Sequence, residues 1–137
     1  MLRPMAATKI PPSMIDLLEG TALAHLATTR RDGTPHVTPL WIDHEGDVIL
    51  VDVRVDRVKA ANMRERPAVA LSIVDPGNPY RHLDITGNVV SWTEEGWREH
   101  MNALARRYMG TDYPWFFEGE RRAIFRIEPT GVHYETG

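Results

Sequence analysis

From Asp47 to Val55 the chain reads Asp-Val-Ile-Leu-Val-Asp-Val-Arg-Val, a β-branched run that favours a strand over a helix. The pattern then changes at once. Asp56-Arg57-Val58-Lys59-Ala60-Ala61-Asn62-Met63-Arg64-Glu65-Arg66 suits a short helix, with Asp56 placed to cap it and Pro67 to end it. A strand therefore delivers the chain into a helix start that carries Arg57 and Lys59. Cations in a first helical turn oppose the helix dipole, so the helix gains nothing from them. A bound anion would use both side chains, together with the unpaired backbone N–H groups of that turn. The spacing predicts a phosphate grip, and with it a phosphorylated cofactor. Arg64 lies two positions beyond Asn62, falls on another face and reads as a surface residue.

The rest of the chain is a succession of short strands and turns. Ser13 is placed to cap a helix that runs to Glu19 and stops at Gly20. Strands are expected over 22–29, 36–43, 48–53, 68–74, 81–92, 122–128 and 131–135. Gly33 in Arg31-Asp32-Gly33-Thr34 supplies a hairpin turn, and Gly87 marks a bend inside the fifth strand. The longest helix is expected from Thr93 to Met109, with Trp97, Met101, Leu104 and Tyr108 at helical spacing and Gly110 closing it. An aromatic loop, Tyr113-Pro114-Trp115-Phe116-Phe117, follows. Six to seven mostly antiparallel strands with two to three flanking helices make a mainly β, α+β fold, a small closed barrel with helices packed outside.

At 137 residues this is one domain, 13–137, behind a flexible N-terminal arm over 1–12 that contains Pro4, Pro11 and Pro12. A net charge of −3 argues against a general nucleic-acid binder. The chain has no cysteine, so disulfides and thiolate metal sites are excluded. No apolar run is long enough to span a membrane, and no leader pattern opens the sequence; a cytoplasmic protein is expected. The six histidines (His25, His36, His44, His82, His100, His133) contain no helical i,i+4 pair, so no metal site is expected. His25 reads as a buried, hydrogen-bonded core residue. No Ser-His-Asp order or paired-carboxylate spacing supports hydrolysis.

Three features together resemble the pyridoxamine 5'-phosphate oxidase-like split-barrel family of flavin- and deazaflavin-dependent oxidoreductases. They are Asp32-Gly33-Thr34-Pro35-His36-Val37-Thr38-Pro39-Leu40-Trp41 after a strand ending in Ala27-Thr28-Thr29; Arg57-x-Lys59-x-x-Asn62 followed by Pro67-x-Val69-x-Leu71; and Leu83-Asp84-Ile85-Thr86-Gly87-Asn88-Val89 before a helix. The likeness spans about 17–132 and is greatest to the branch that uses coenzyme F420. It implies an FMN-binding split β-barrel, a homodimer with its site at the interface, and hydride transfer between a deazaflavin and a flat conjugated small molecule. It also implies that Arg57, Lys59 and Asn62 hold the cofactor's phosphate. His36, Thr38, Pro39, Leu40, Trp41, Val53 and Arg54 would then surround its ring, with Tyr80 and Arg81 at the pocket. No catalytic side chain is assigned. An FMN-dependent oxidase or reductase of the same fold is the alternative, and a non-catalytic flavin- or haem-binding carrier or sensor the second. The chain ends at Glu135-Thr136-Gly137 without the Arg-rich segment that the family's oxidases use for the pyridoxal substrate.

Single residues carry two readings each. Pro39 cannot donate to a ladder, so its strand is an edge or is bulged there. That proline is either a plain barrel corner or a place where backbone meets a flat ring. Trp41 is a core or dimer-interface aromatic, or stacks on the ring. The aromatic loop either covers one barrel end or walls a substrate pocket.

Overall fold

The computed structural model of the protein describes residues 8–137. Its frame is one sheet of seven antiparallel strands: β1 (Ala24–Thr29), β2 (Pro35–Leu40), β3 (Asp43–Glu45), β4 (Val48–Arg54), β5 (Ala68–Asp75), β6 (Asn78–Thr93) and β7 (Arg122–Thr136). Three helices flank it: α1 (Asp16–Glu19), α2 (Val58–Glu65) and α3 (Trp97–Met109). The strand order is β2-β1-β5-β6-β7-β4-β3, so the sheet is open, with β2 and β3 as its edges.

The two edge strands lie at opposite ends of the order, yet only Trp41 and Ile42 separate them in the chain. The sheet must therefore curl until its edges approach. It does not close as expected, because α3 claims the backbone at that place. The Ile42 N–H donates to the Tyr108 hydroxyl at 3.2 Å, and the Ile42 carbonyl accepts from Arg107. Tyr108 in turn donates to the Ala22 carbonyl at 2.7 Å. A barrel with a split, filled by one helix, is the result. The link also divides the single strand expected over 36–43 into β2 and β3.

Inside the curl, alternate residues of the long strands meet. Phe125, Leu26, Ile49, Ile73, Leu83, Ile85 and Ile127 are fully buried there, with Met14 and Leu18 from the N-terminal turns closing one end. Each such side chain contributes about 1.5–3 kcal/mol of burial energy. The described part of the expected arm is anchored rather than loose. Ile10 is buried, and its N–H donates to Asp47 Oδ1 at 2.8 Å.

Some local signals resolve differently from the reading above. Ser13 sits inside a 3₁₀ turn, Pro12–Met14, and no side chain caps α1. Asp56 does not cap α2, because both its oxygens are engaged by Arg54 Nε and Nη2, at 3.0 and 2.7 Å; Arg57 takes the cap position. Helix α3 starts only after Gly96, whose φ of 76° interrupts the helix, and Glu94 pairs with Arg121 instead. The last two expected strands are one, β7. Its bulge leaves Thr130 unpaired between Gly131, opposite Thr86, and Pro129, opposite Gly87. His25 points outward, because its neighbours Ala24 and Leu26 are the buried pair.

Gly87 is required by close approach. A Cβ there would lie 2.5 Å from the Glu128 carbonyl oxygen and 2.9 Å from Ile127 Cγ2. Gly87→Ala is expected to destabilise the fold by about 1–3 kcal/mol, read as a lower urea midpoint. An unchanged midpoint would mean that β6 and β7 can part there at no cost.

Candidate functional site

A cavity of about 470 Å³ opens beside the split. The edge strand β2 and the link after it supply His36, Thr38, Pro39, Leu40 and Trp41. The end of β4 supplies Asp52, Val53 and Arg54, and the start of α2 supplies Arg57, Val58 and Lys59. Helix α3 adds Met101 and Leu104, the aromatic loop Tyr113 and Trp115, and β7 Arg122, with Leu23 completing the wall. Nine sequence-predicted residues are thus brought together: His36, Thr38, Pro39, Leu40, Trp41, Val53, Arg54, Arg57 and Lys59.

Three others are not. Asn62 is buried on the sheet side of α2, where it donates to Thr28 Oγ1 at 2.9 Å and accepts from Arg66 Nη2 at 3.2 Å. It ties α2 to β1 and does not line this cavity. Arg81 is drawn to Asp16 and Asp75, at 2.7 and 3.0 Å, and to the Ser13 carbonyl, so it fastens β6 to α1. Tyr80 is largely exposed, away from the cavity. Arg64 lies on the surface as expected and donates to the Val55 carbonyl.

The cationic end has an unusual charge balance. Lys59 Nζ, half-buried, donates to Thr38 Oγ1 at 3.0 Å. Burial pushes its ammonium below the usual lysine range, and the charges of Arg57 and Arg122 add to that. Neither Arg57 nor Lys59 forms an ion pair among the described residues, whereas Arg54 has Asp56 and lies over the Phe117 ring, 5.0 Å from its centroid. Two cations beside a cavity, on the first turn of a helix whose opening N–H groups have no intrahelical partner, form a place for an anion. His36 adds a buried Nδ1 with no hydrogen-bond partner. Burial, with Arg30 and Lys59 nearby, holds its imidazole below the ordinary pKa, so it stays neutral at pH 7 and can donate or accept one hydrogen bond.

The opposite wall is aromatic. Trp41 stacks on Tyr108 with centroids 5.2 Å apart and planes at 10°, and Tyr113 meets Trp41 edge-on at 6.0 Å. Trp115 meets Tyr113 edge-on at 5.4 Å while remaining 62% exposed. The loop therefore walls the cavity, and Trp41 serves packing and pocket together. Flat apolar walls with one polar end suit a planar, phosphorylated ligand.

Behind the cavity runs a partly buried row of alternating charge that the sequence does not reveal. Arg122 Nε donates to Glu120 Oε2 at 2.7 Å, and Asp52 Oδ1 lies 3.6 Å from Arg122 Nη1. His100 joins Asp52 through Nδ1 at 3.2 Å and Asp43 through Nε2 at 2.9 Å. Arg107 follows, 3.8 Å from Asp43. Burial pushes the Asp52 carboxyl up, against the hydrogen bond from His100 and the charge of Arg122. For His100, burial acts downward, but hydrogen bonds and charge from Asp43 and Asp52 outweigh it and lift the pKa to about 9.

That rise has a consequence for stability. The pKa is 6.5 in an ordinary environment and about 9 here, so the charged imidazole stabilises the fold by about 3 kcal/mol. The contribution is complete below pH 6.5, declines above it and is gone once the pH passes about 9. Lys59, held low, works in the opposite sense. The denaturant midpoint should therefore fall between pH 7 and pH 10 more steeply in the wild-type protein than in His100→Gln. Parallel profiles would show that His100 carries no proton in the row.

No metal-binding cluster of His, Cys, Asp and Glu occurs among the described residues. No helix there is long and apolar enough to cross a membrane.

Comparison with known proteins agrees with the fold. The solved structure of a protein described as an F420 reductase superposes with a TM-score of 0.81 at 34% identity, over 90% of this chain and 98% of its own. A conserved hypothetical protein of Mycobacterium tuberculosis superposes at 0.72 with 21% identity, over 98% and 90%. General Stress Protein 26 of Bacillus anthracis does so at 0.66 with 19% identity, over 89% and 90%. The last two share the fold alone. A comparison with curated proteins gave no match. Residues 10–135 match the family described as pyridoxamine 5'-phosphate oxidase, and with seven antiparallel strands curled into an open barrel the chain belongs to that family of split-barrel oxidoreductases.

Proposed function

We propose that the protein is a coenzyme F420-dependent reductase acting on a flat, conjugated small molecule. The observation that carries the reading is the uncompensated pair Arg57 and Lys59 beside an aromatic-walled cavity. The choice of deazaflavin is supported by the 34% identity to a protein described as an F420 reductase. In this reading Arg57, Lys59 and the first N–H groups of α2 hold the cofactor's phosphate. The free edge of β2, where Pro39 withholds one donor, offers backbone groups to the ring's polar rim. Trp41, Tyr113 and Trp115 exclude water from the ring face, and neutral His36 orients a polar group next to Lys59. The deazaflavin supplies the hydride chemistry; the protein binds, orients and dries the site.

A homodimer and a cytoplasmic setting belong to the same proposal. The outer face of the sheet supports the first. There a shallow groove of about 290 Å³ runs past His25, Ala27, Val37, Ala70 and His133, and Val37 is 63% exposed. Sedimentation of the purified protein tests it, since a monomer at micromolar concentration would overturn it.

The test of function is a titration of the purified protein with coenzyme F420 and with FMN, followed by fluorescence. F420 should bind at least about tenfold more tightly, a preference of 1.4 kcal/mol. Preference for FMN would make it an FMN-dependent oxidoreductase, because the cation pair serves either phosphate. Binding of neither overturns the reading, while binding without turnover of any acceptor would favour a carrier or sensor.

A further inference from the structure

We propose that Arg122 is a second recognition point of the cavity, separate from the phosphate grip, at which its Nη2 donates to a carbonyl or carboxylate oxygen of a planar ligand. The proposal rests on the reading of this cavity as a ligand site.

Arg122 opens β7 and lines the cavity with a side chain only 10% exposed. Its guanidinium is held at two of its three nitrogens. Nε donates to Glu120 Oε2 at 2.7 Å and Nη1 to the Asp52 carbonyl at 3.2 Å. The Glu120 and Asp52 carboxylates behind it are 1% and 0% exposed, so they neutralise the charge without turning with solvent. Asp52 is fixed in turn by His100, and His100 by Asp43. The Tyr113 ring lies against the fork, its centroid 5.6 Å from Cζ.

A guanidinium has five N–H groups in one plane, and these contacts use Nε and Nη1. Nη2 makes no hydrogen bond among the described residues. Nη2 is solvent-accessible at the cavity wall, so an acceptor arriving there replaces water. The partner must be an acceptor, and a planar oxygen suits the planar fork. Arg57 and Lys59 stand on another element and have no anchoring carboxylates. They fit a mobile phosphate, while Arg122 fits an oxygen whose position is already fixed by a ring.

Such an oxygen has two sources, the cofactor's ring or the substrate. Arg122→Lys keeps a cation against Glu120 and Asp52 and removes the second donor edge. Two probes separate the sources: a phosphate-free deazaflavin nucleoside, and benzoate added to protein with and without F420. A loss of about tenfold or more for the nucleoside assigns Arg122 to the cofactor ring, and the same loss for benzoate alone assigns it to the substrate. If both probes bind Arg122→Lys as they bind wild type, with the melting temperature unchanged, the proposal is overturned. If wild type fails to bind F420 yet benzoate still weakens in Arg122→Lys, the F420 reading falls and this one stands. Should the variant not fold, the Arg122 side-chain ¹⁵N–H signals of the wild-type protein decide. They shift on addition of a probe if Arg122 contacts it, and an unmoved signal with both probes bound overturns the proposal.

Discussion

An Arg57→Ala/Lys59→Ala variant is expected to bind coenzyme F420 about a hundredfold or more weakly than wild type while folding as well. A hydrogen bond to a charged group is worth about 1.5–3 kcal/mol, so losing two costs two or more decades of affinity. Lys59→Ala alone should lose at least about tenfold. The fold should tolerate both changes. Arg57 is exposed, and Lys59 is a half-buried cation whose one described hydrogen bond goes to a hydroxyl. Removing it also relieves the burial that depresses its pKa. Fluorescence titration gives the affinity and a melting curve gives the fold. Affinity unchanged in a folded variant would sink the phosphate grip. Raising the salt should weaken wild-type binding more than the double variant's, since exposed charge pairs are screened.

Asp52→Ala should destabilise the protein by about 3–5 kcal/mol, the usual cost of breaking a buried ion pair from one side. Its carboxylate is wholly buried and stands between His100 and Arg122. Removal leaves two largely buried cations with one fewer anion. Denaturant unfolding measures the loss, and the His100 pKa, followed by NMR, should drop from about 9 toward its ordinary value. The double variant Asp52→Ala/His100→Gln should lose less than the sum of the singles, because both remove one shared interaction. A loss below about 1 kcal/mol would mean that the row is loosely assembled and adds little.

What could be read from the sequence follows how local each signal is. Val53, Arg54, Arg57 and Lys59 lie on one continuous strand-to-helix passage, and the run from His36 to Trp41 is a single edge strand with its link. Their periodicity carries them to the same cavity. Asn62 has the right spacing for the same helix face as Lys59, but Thr28 and Arg66 compete for its amide and bury it. Arg81 has partners some 65 positions away, which no local pattern discloses. The same holds for the partly buried row: Asp43, Asp52, His100 and Arg122 are single polar residues in unremarkable settings until folding aligns them. His25 shows another limit. One residue's change of phase in a strand exchanges the inner and outer faces.

The gap between β2 and β3 makes the pocket adjustable. A closed ladder would have to be re-registered to change the shape of its lumen. Here one wall is a helix, α3, fastened at the gap by Arg107 and Tyr108 and contributing Met101 and Leu104 to the cavity. Substitutions along that helix and the aromatic segment after it can widen, narrow or repolarise the chamber while every strand keeps its partner. Ligand choice and scaffold integrity are thereby carried by different residues, so libraries aimed at new acceptors should vary Met101, Leu104, Tyr113 and Trp115, keep Arg107 and Tyr108, and leave the sheet alone.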